Sequence, residues 1–233
     1  MDIVIFGANG PTGRLAVEQG LAAGHRVTAV TRRPQEFPFA GPALRVVGAD
    51  VHDADAVAKA VDGQEAVVSV LGVPFGRKPV DVYSVGVRHI AAAMRRAGVR
   101  RLVVVTSTTV SGEESPGEGW FFRKLLEPFV AGVVGRTVYD DMRRAEELVR
   151  ACGLDWTIVR PAGLFDTEGV SDYRLEAGPR LPGRFTSRAD LADALLRLAT
   201  EDAPDLVRTS VEVRTVQGVP TLLQLLRKEA FGK

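Results

Sequence analysis

Three glycines spaced three apart, Gly7, Gly10 and Gly13, stand in the run Gly7-Ala8-Asn9-Gly10-Pro11-Thr12-Gly13, directly after the apolar residues Ile3 to Phe6. A turn that lacks side chains lets the backbone approach a pyrophosphate, and amides at the start of a helix face its negative charge. This spacing, placed between a strand and a helix, therefore predicts a dinucleotide cradle in which Asn9, Pro11 and Thr12 share and the Thr12 hydroxyl is a further donor. The plain alternative is a tight strand-to-helix turn that holds nothing. A phosphate-loop nucleotidase is excluded, because its loop ends in Gly-Lys-Ser/Thr and here Gly13 is followed by Arg14 and Leu15.

Later stations carry chemistry that fits the same ligand. About 20 residues past the glycines an acid would accept the ribose 2′-hydroxyl of NAD, but Thr31-Arg32-Arg33 occupies that place. A guanidinium pairs with a 2′-phosphate, so NADP(H) is expected, with Arg32 as first partner and Arg33 as second. Two solvated arginines in a surface turn are the alternative. Asp50 and Val51 are placed to meet the adenine, the carboxylate at its amino group and the valine against the ring, although Asp50 could instead cap the next helix. Leu71-Gly72 would bring backbone close to the cofactor, unless Gly72 is only a turn glycine. Ser107 ends an apolar run and could hydrogen-bond a nicotinamide amide or a substrate carbonyl, or else the local backbone.

Positioning these residues requires alternating strands and helices. Short β-branched runs at 3–6, 26–31, 44–47, 66–71, 101–106 and 156–159 alternate with helical patterns near 12–23, 54–61, 80–97 and 138–151. Several runs, such as Leu102-Val103-Val104-Val105, are continuously apolar, which suits parallel strands covered on both faces. Gly24 and Gly98 fall where helices need a left-handed cap, and Ser187 stands three residues before Asp190 as an N-cap. A strand near 208–216 and a helix near 219–230 close the pattern. The expected fold is α/β, an NAD(P)-binding Rossmann fold with a doubly wound, mostly parallel sheet, as a single domain over 1–233. Loops 107–137 and 161–186 follow carboxyl ends of strands and are expected on the substrate side.

Composition narrows the partners. The 233 residues are 45% hydrophobic and 25% charged with a net charge of +1, and the basic residues lie in scattered pairs, so no nucleic-acid footprint is present. The single cysteine, Cys152, excludes an internal disulfide and reads as structural. His25, His52 and His89 are far apart and form no ligand-spaced cluster, so no metal is expected. Without a basic leader or apolar stretch at the start, a cytoplasmic location is expected. The apolar segment 119–135 is broken by Arg123, Lys124 and Glu127, too polar for a membrane span, and suits a lid, a core helix or a dimer contact. Monomer and homodimer stay open.

The order Gly7-Ala8-Asn9-Gly10-Pro11-Thr12-Gly13, Val27-Thr28-Ala29-Val30-Thr31-Arg32, Gly48-Ala49-Asp50-Val51, Leu71-Gly72, Gly98-Val99, Thr106-Ser107 and Gly153-Leu154 resembles the atypical short-chain dehydrogenases/reductases of the NAD(P)H-binding group, in particular their biliverdin reductase B or flavin reductase branch. The resemblance implies that the glycine turn, the arginine and the aspartate bind NADP and that Ser107 lies beside the nicotinamide. It also implies that Arg160-Pro161-Ala162-Gly163 passes the nicotinamide, Pro161 and Ala162 orienting the carboxamide through backbone. Better-known members use Tyr-x-x-x-Lys; here Tyr139-Asp140-Asp141-Met142-Arg143 stands instead. Tyr139 and Arg143 are candidate catalytic residues, with a helix-face aromatic and a surface charge as the alternative, since an always-protonated guanidinium does not replace lysine. The expected activity is reduction by NADPH of a planar small molecule such as a flavin or quinone. A non-catalytic NADP(H) sensor resembling NmrA-like regulators is the other reading, and a nucleotide-sugar epimerase a weaker third.

Overall fold

In the computed structural model, which describes residues 1–76, 78–111, 135–178 and 181–219, the glycine turn joins strand β1 (Asp2–Phe6) to helix α1 (Pro11–Ala22). Strands β2 (Arg26–Thr31), β3 (Leu44–Gly48), β4 (Ala66–Ser69), β5 (Arg101–Val105) and β6 (Asp155–Pro161) follow, separated by helices α2 (Ala54–Val61), α3 (Val82–Ala97) and α4 (Arg136–Ala151). Three short strands come next, β7 (Gly163–Phe165), β8 (Tyr173–Ala177) and β9 (Phe185–Ser187), then helix α5 (Arg188–Thr200) and strand β10 (Thr209–Thr215).

The main sheet has eight strands in the order β3-β2-β1-β4-β5-β6-β10-β8. All neighbours in it are parallel except β10 and β8. Strand order reverses between β1 and β4, and at such a switch point the loops diverge and leave a crevice beyond the carboxyl ends of the strands.

Two apolar layers hold this sheet, because successive side chains of a strand point to opposite faces. Val4, Phe6, Val67, Leu102, Val104 and Ile158 pack with α2, α3 and α4 residues on one face. Ile3, Ile5, Val68, Val103 and Val159 pack with Ala16, Val17, Leu191 and Leu195 of α1 and α5 on the other. That double burial is why the strands read as continuous apolar runs. Burying each such side chain contributes about 2 kcal/mol.

Helix ends follow the expected chemistry. Gly24 (φ 81°) and Gly98 (φ 72°) take the left-handed conformation after α1 and α3. Ser187 Oγ accepts from the Asp190 amide and caps α5. The segment 161–186 departs from expectation. Instead of an irregular loop it carries β7 and β9, which pair in parallel, and β8, which adds an antiparallel edge to the main sheet. Strands of three residues have no detectable period, and β8 alternates only half-buried and exposed positions. The expected helix at 219–230 lies almost wholly outside the described residues.

Candidate cofactor and acceptor cleft

A cleft of about 980 Å³ runs along the carboxyl ends of β3, β2, β1, β4, β5 and β6. Its lining includes Gly7, Asn9, Gly10, Pro11, Thr12, Gly13, Arg32, Arg33, Asp50, Val51, Leu71, Gly72, Ser107, Tyr139, Pro161 and Ala162, so sixteen of the seventeen expected residues line one space. The exception is Arg143. It ion-pairs with Asp140 at 2.6 Å, its side chain is 48% exposed, and it is absent from the described lining. Of the two candidate catalytic residues on this helix, Tyr139 lines the cleft and Arg143 takes the alternative place of a surface charge.

The glycine turn is dictated first by its own packing. Gly7 has φ 81°, and a Cβ there would lie 2.4 Å from the Val70 carbonyl oxygen. At Gly13 a Cβ would lie 2.3 Å from the Gly7 carbonyl oxygen. Pro11 has no N–H and Arg14 donates to the Gly10 carbonyl, so the amides of Thr12 and Gly13 are the donors without a backbone acceptor among the described residues at the mouth of α1. The first turn of α1 carries no acidic side chain that would compete with an anion there. Asn9 Oδ1 accepts from Arg14 Nε at 2.9 Å.

At the far end of β2 the two arginines differ. Arg33 ion-pairs with Glu36 at 3.0 Å, whereas Arg32 is exposed on the cleft and lies close enough to Asp50 for their charges to interact. Asp50 does not cap α2; Asp53 does, accepting from the Asp55 and Ala56 amides. Asp50 accepts from the His52 amide at 2.9 Å and contacts His52 Nδ1 at 2.8 Å, and His52 Nε2 reaches Asp81 at 3.0 Å. The His52 hydrogen bonds hold the Asp50 carboxyl below its ordinary range. Asp81 and then Asp50 push the His52 pKa up. Val51 is buried, and its carbonyl accepts from His89 Nδ1 at 2.8 Å. Gly72 is not a turn glycine: its φ is not positive and a Cβ there would meet nothing within 4 Å.

Around Ser107 the cleft becomes aromatic. Ser107 Oγ accepts from the Thr109 amide at 3.3 Å, which leaves its hydroxyl proton to donate. Tyr139 is buried, with Phe75 against it at a 5.7 Å ring separation. Tyr83 also lines this part, and burial pushes its pKa up to about 12. The Ala162 amide donates to Thr186 Oγ1 at 3.0 Å, and Pro161 has no amide proton, so neither backbone nitrogen is left to donate into the cleft.

Several supporting residues carried no sequence signal. Glu146 of α4 is buried and accepts from Thr106 Oγ1 at 2.8 Å, from Arg160 at 2.9 and 2.6 Å, and from Arg150 at 2.6 Å. It thereby joins the residues preceding Ser107 and Pro161. Burial would raise its pKa, but Arg160, Thr106 and Arg150 outweigh that and hold it low. Asp141 is fully buried and accepts from the Tyr83 and Ser84 amides, capping α3 from another helix. Gly86 lets α3 approach Leu71 and Val51, since a Cβ there would lie 2.7 Å from Leu71 Cδ1. Cys152 is buried at the end of α4, its carbonyl accepting from Arg95. Most of the apolar segment 119–135 lies outside the described residues. Among the described residues no helix is long and apolar enough to cross a membrane.

The fold and this cleft define a Rossmann-type NAD(P)-binding protein. The family model described as NAD(P)H-binding matches residues 7–202, and the chain belongs to that family. An uncharacterized chloroplastic protein of Arabidopsis thaliana is 30% identical over 210 residues, which span 86% of this chain and 72% of that one. Other curated relatives are longer, and the chain spans 62% of one and 18% of another. Among solved structures, a short-chain dehydrogenase/reductase from Veillonella parvula in complex with NADP matches with a TM-score of 0.76 at 22% identity, over 93% of this chain and 95% of that one. ChuY of Escherichia coli O157:H7, an anaerobilin reductase, matches with a TM-score of 0.73 at 24% identity, over 95% of this chain and all of that one. The expected Rossmann fold and the expected nicotinamide dinucleotide are thus both met.

Proposed function

We propose that this protein is an NADPH-dependent reductase whose acceptor is a planar small molecule such as a flavin or quinone. One observation carries the reading: a single cleft joins the dinucleotide stations at Arg32, Asp50 and the glycine turn to the aromatic mouth at Phe75, Tyr139 and Ser107. The membership in an NAD(P)H-binding family and the likeness to an anaerobilin reductase support it.

The residues fit the cofactor. Thr12 and Gly13 offer amides to its pyrophosphate, and Gly72 leaves room beside it, the space a Cβ would fill being open. Arg32 receives the 2′-phosphate, with Arg33 held back by Glu36. Asp50 meets the adenine amino group and Val51 and Leu71 its faces. Carbonyls of Pro161 and Ala162 accept from the carboxamide and turn the ring.

Bound NADPH supplies a hydride, and with one solvent proton the acceptor gains two electrons and NADP⁺ is left. The protein's part is placement. Phe75, Tyr139 and Met142 exclude water from one side of the acceptor, and the Ser107 hydroxyl donates to its carbonyl. Arg143, tied to Asp140, has no part in this account. The partner is a small molecule, and a cytoplasmic monomer or homodimer completes the proposal. The test follows NADPH oxidation at 340 nm with FMN, riboflavin and quinones. Turnover is expected, and Ser107→Ala lowers kcat about tenfold, the worth of one hydrogen bond at the reacting group. No oxidation with any acceptor at saturating NADPH overturns it.

A further inference from the structure

At the adenine end of the cleft one side chain is held by two carboxylates from different parts of the chain. His52 Nδ1 lies 2.8 Å from Asp50 Oδ1, just beyond β3, and His52 Nε2 lies 3.0 Å from Asp81 Oδ1, at the N-cap of α3. A neutral imidazole carries a single N–H, so it would turn a lone pair toward one of these anionic oxygens. Only the imidazolium donates to both. Asp81 is available for this contact because its side chain does not cap its own helix; Asp141 takes the Tyr83 and Ser84 amides instead. Asp50 spends Oδ1 on the His52 amide and ring, and no hydrogen bond among the described residues uses its Oδ2, the oxygen left for the adenine amino group.

The charge around the ribose station depends on that ring. Arg32 interacts with Asp50 through their charges, while Arg33 is paired with Glu36 at 3.0 Å. From α2 come Asp53, spent on the Asp55 and Ala56 amides, Asp55 in the first turn and Lys59 in the last. From α3, besides Asp81, come Arg88 and His89 two turns along, with His89 Nδ1 at 2.8 Å from the Val51 carbonyl, and Tyr83, which stays neutral below about 12. Arg32 and an imidazolium balance Asp50 and Asp81; with a neutral ring the same four groups carry one negative charge. We propose that His52 sets the preference for NADP(H) over NAD(H), its imidazolium cancelling a charge that would otherwise oppose the 2′-phosphate at Arg32. The proposal rests on Arg32 receiving that phosphate and adds a second residue to cofactor selection. Asp81 and then Asp50 push the His52 pKa up, so the preference is greatest near its ordinary 6.5 and declines as pH rises through the raised value.

NADP⁺ and NAD⁺ differ only in that phosphate, so their Kd values on the whole protein, measured by calorimetry from pH 6.5 to pH 9, isolate the effect. The ratio is expected to favour NADP⁺ about fivefold more at pH 6.5 than at pH 9, the effect of one partly screened unit charge. The second ionisation of the phosphate itself, with a pKa of about 6, weakens binding in acid and so works against this trend. His52→Gln should hold the ratio at its pH 9 level across the range, and His52→Arg, charged at every pH, should hold it high, with melting temperature checking both folds. By linkage the unaltered protein takes up protons when NADP⁺ binds near pH 7.5 but not when NAD⁺ binds, which calorimetry in buffers of different ionisation heat reads directly. A preference for NADP⁺ that does not fall with pH, or that falls equally in His52→Gln, overturns the role of His52 and leaves the Arg32 station standing. No preference for NADP⁺ at any pH, or one that survives Arg32→Ala, removes the Arg32 station and the proposal with it.

Discussion

Replacing Glu146 by Gln tests how the acceptor end of the cleft is held. The carboxylate takes hydrogen bonds from Arg160, Thr106 and Arg150, and the Arg160 side chain is only 15% exposed. Glutamine keeps the shape but removes the charge, so a nearly buried guanidinium loses the Glu146 carboxylate as a counterion. Breaking a buried pair in this way costs 3–5 kcal/mol, and the partial exposure of Arg150 at 43% places the loss near the low end, about 3 kcal/mol. For a chain of this size that is a fall of roughly 6–12 °C in Tm. Denaturant titration at pH 7 measures it. Because the Glu146 pKa is lowered in the folded state, its contribution is complete above its ordinary value of 4.5 and is lost as pH falls through the lowered one, so the gap between the two proteins closes in acid. In Glu146→Met/Arg160→Met neither charge remains, and stability returns to within about 1 kcal/mol. A loss under 1 kcal/mol for the single variant, or a double variant no better than the single one, refutes the argument. A fall in kcat with unchanged NADPH affinity should accompany the loss, since Thr106 and Arg160 precede Ser107 and Pro161.

Three further outcomes follow from the cofactor end. Arg32→Ala should weaken NADPH binding about 10- to 100-fold and NADH less than threefold, the range for hydrogen bonds to a charged phosphate; equal losses by equilibrium titration would assign the arginine elsewhere. Gly86→Ala gains about 1 kcal/mol of helix propensity, yet its Cβ meets Leu71 Cδ1 at 2.7 Å and displaces that flexible side chain toward the cleft. NADPH affinity should fall several-fold while Tm holds, and unchanged affinity would count against Leu71 as an adenine wall. His52→Ala removes the link between Asp50 and Asp81. The raised His52 pKa makes this link complete below its ordinary 6.5 and lost as pH rises through the raised value. These side chains are half-exposed and screened, so the variant should lose only about 0.5 kcal/mol at pH 6 and almost nothing at pH 9.

What was legible beforehand is what acts over short stretches of chain. The glycine turn shows because Gly7 and Gly13 must clear backbone within seven residues of each other or one strand away, and the β1 to β6 runs show because burial on both faces removes polar residues altogether. The region 161–186 hid its strands because long-range bonds pin them: Thr186 Oγ1 donates to the Val213 carbonyl and the Ser187 amide to Thr215 Oγ1. No local pattern encodes such partners. Glu146 was invisible for the same reason, its bonds reaching 40 residues back to Thr106 and 14 forward to Arg160. Arg143 illustrates the converse. Four residues after Tyr139 on one helix it should share a face, but Asp140 three residues before it offers a nearer carboxylate and draws the guanidinium outward. The positive charge that a lysine would bring to the mouth of the cleft is thus absent from Tyr139's helix.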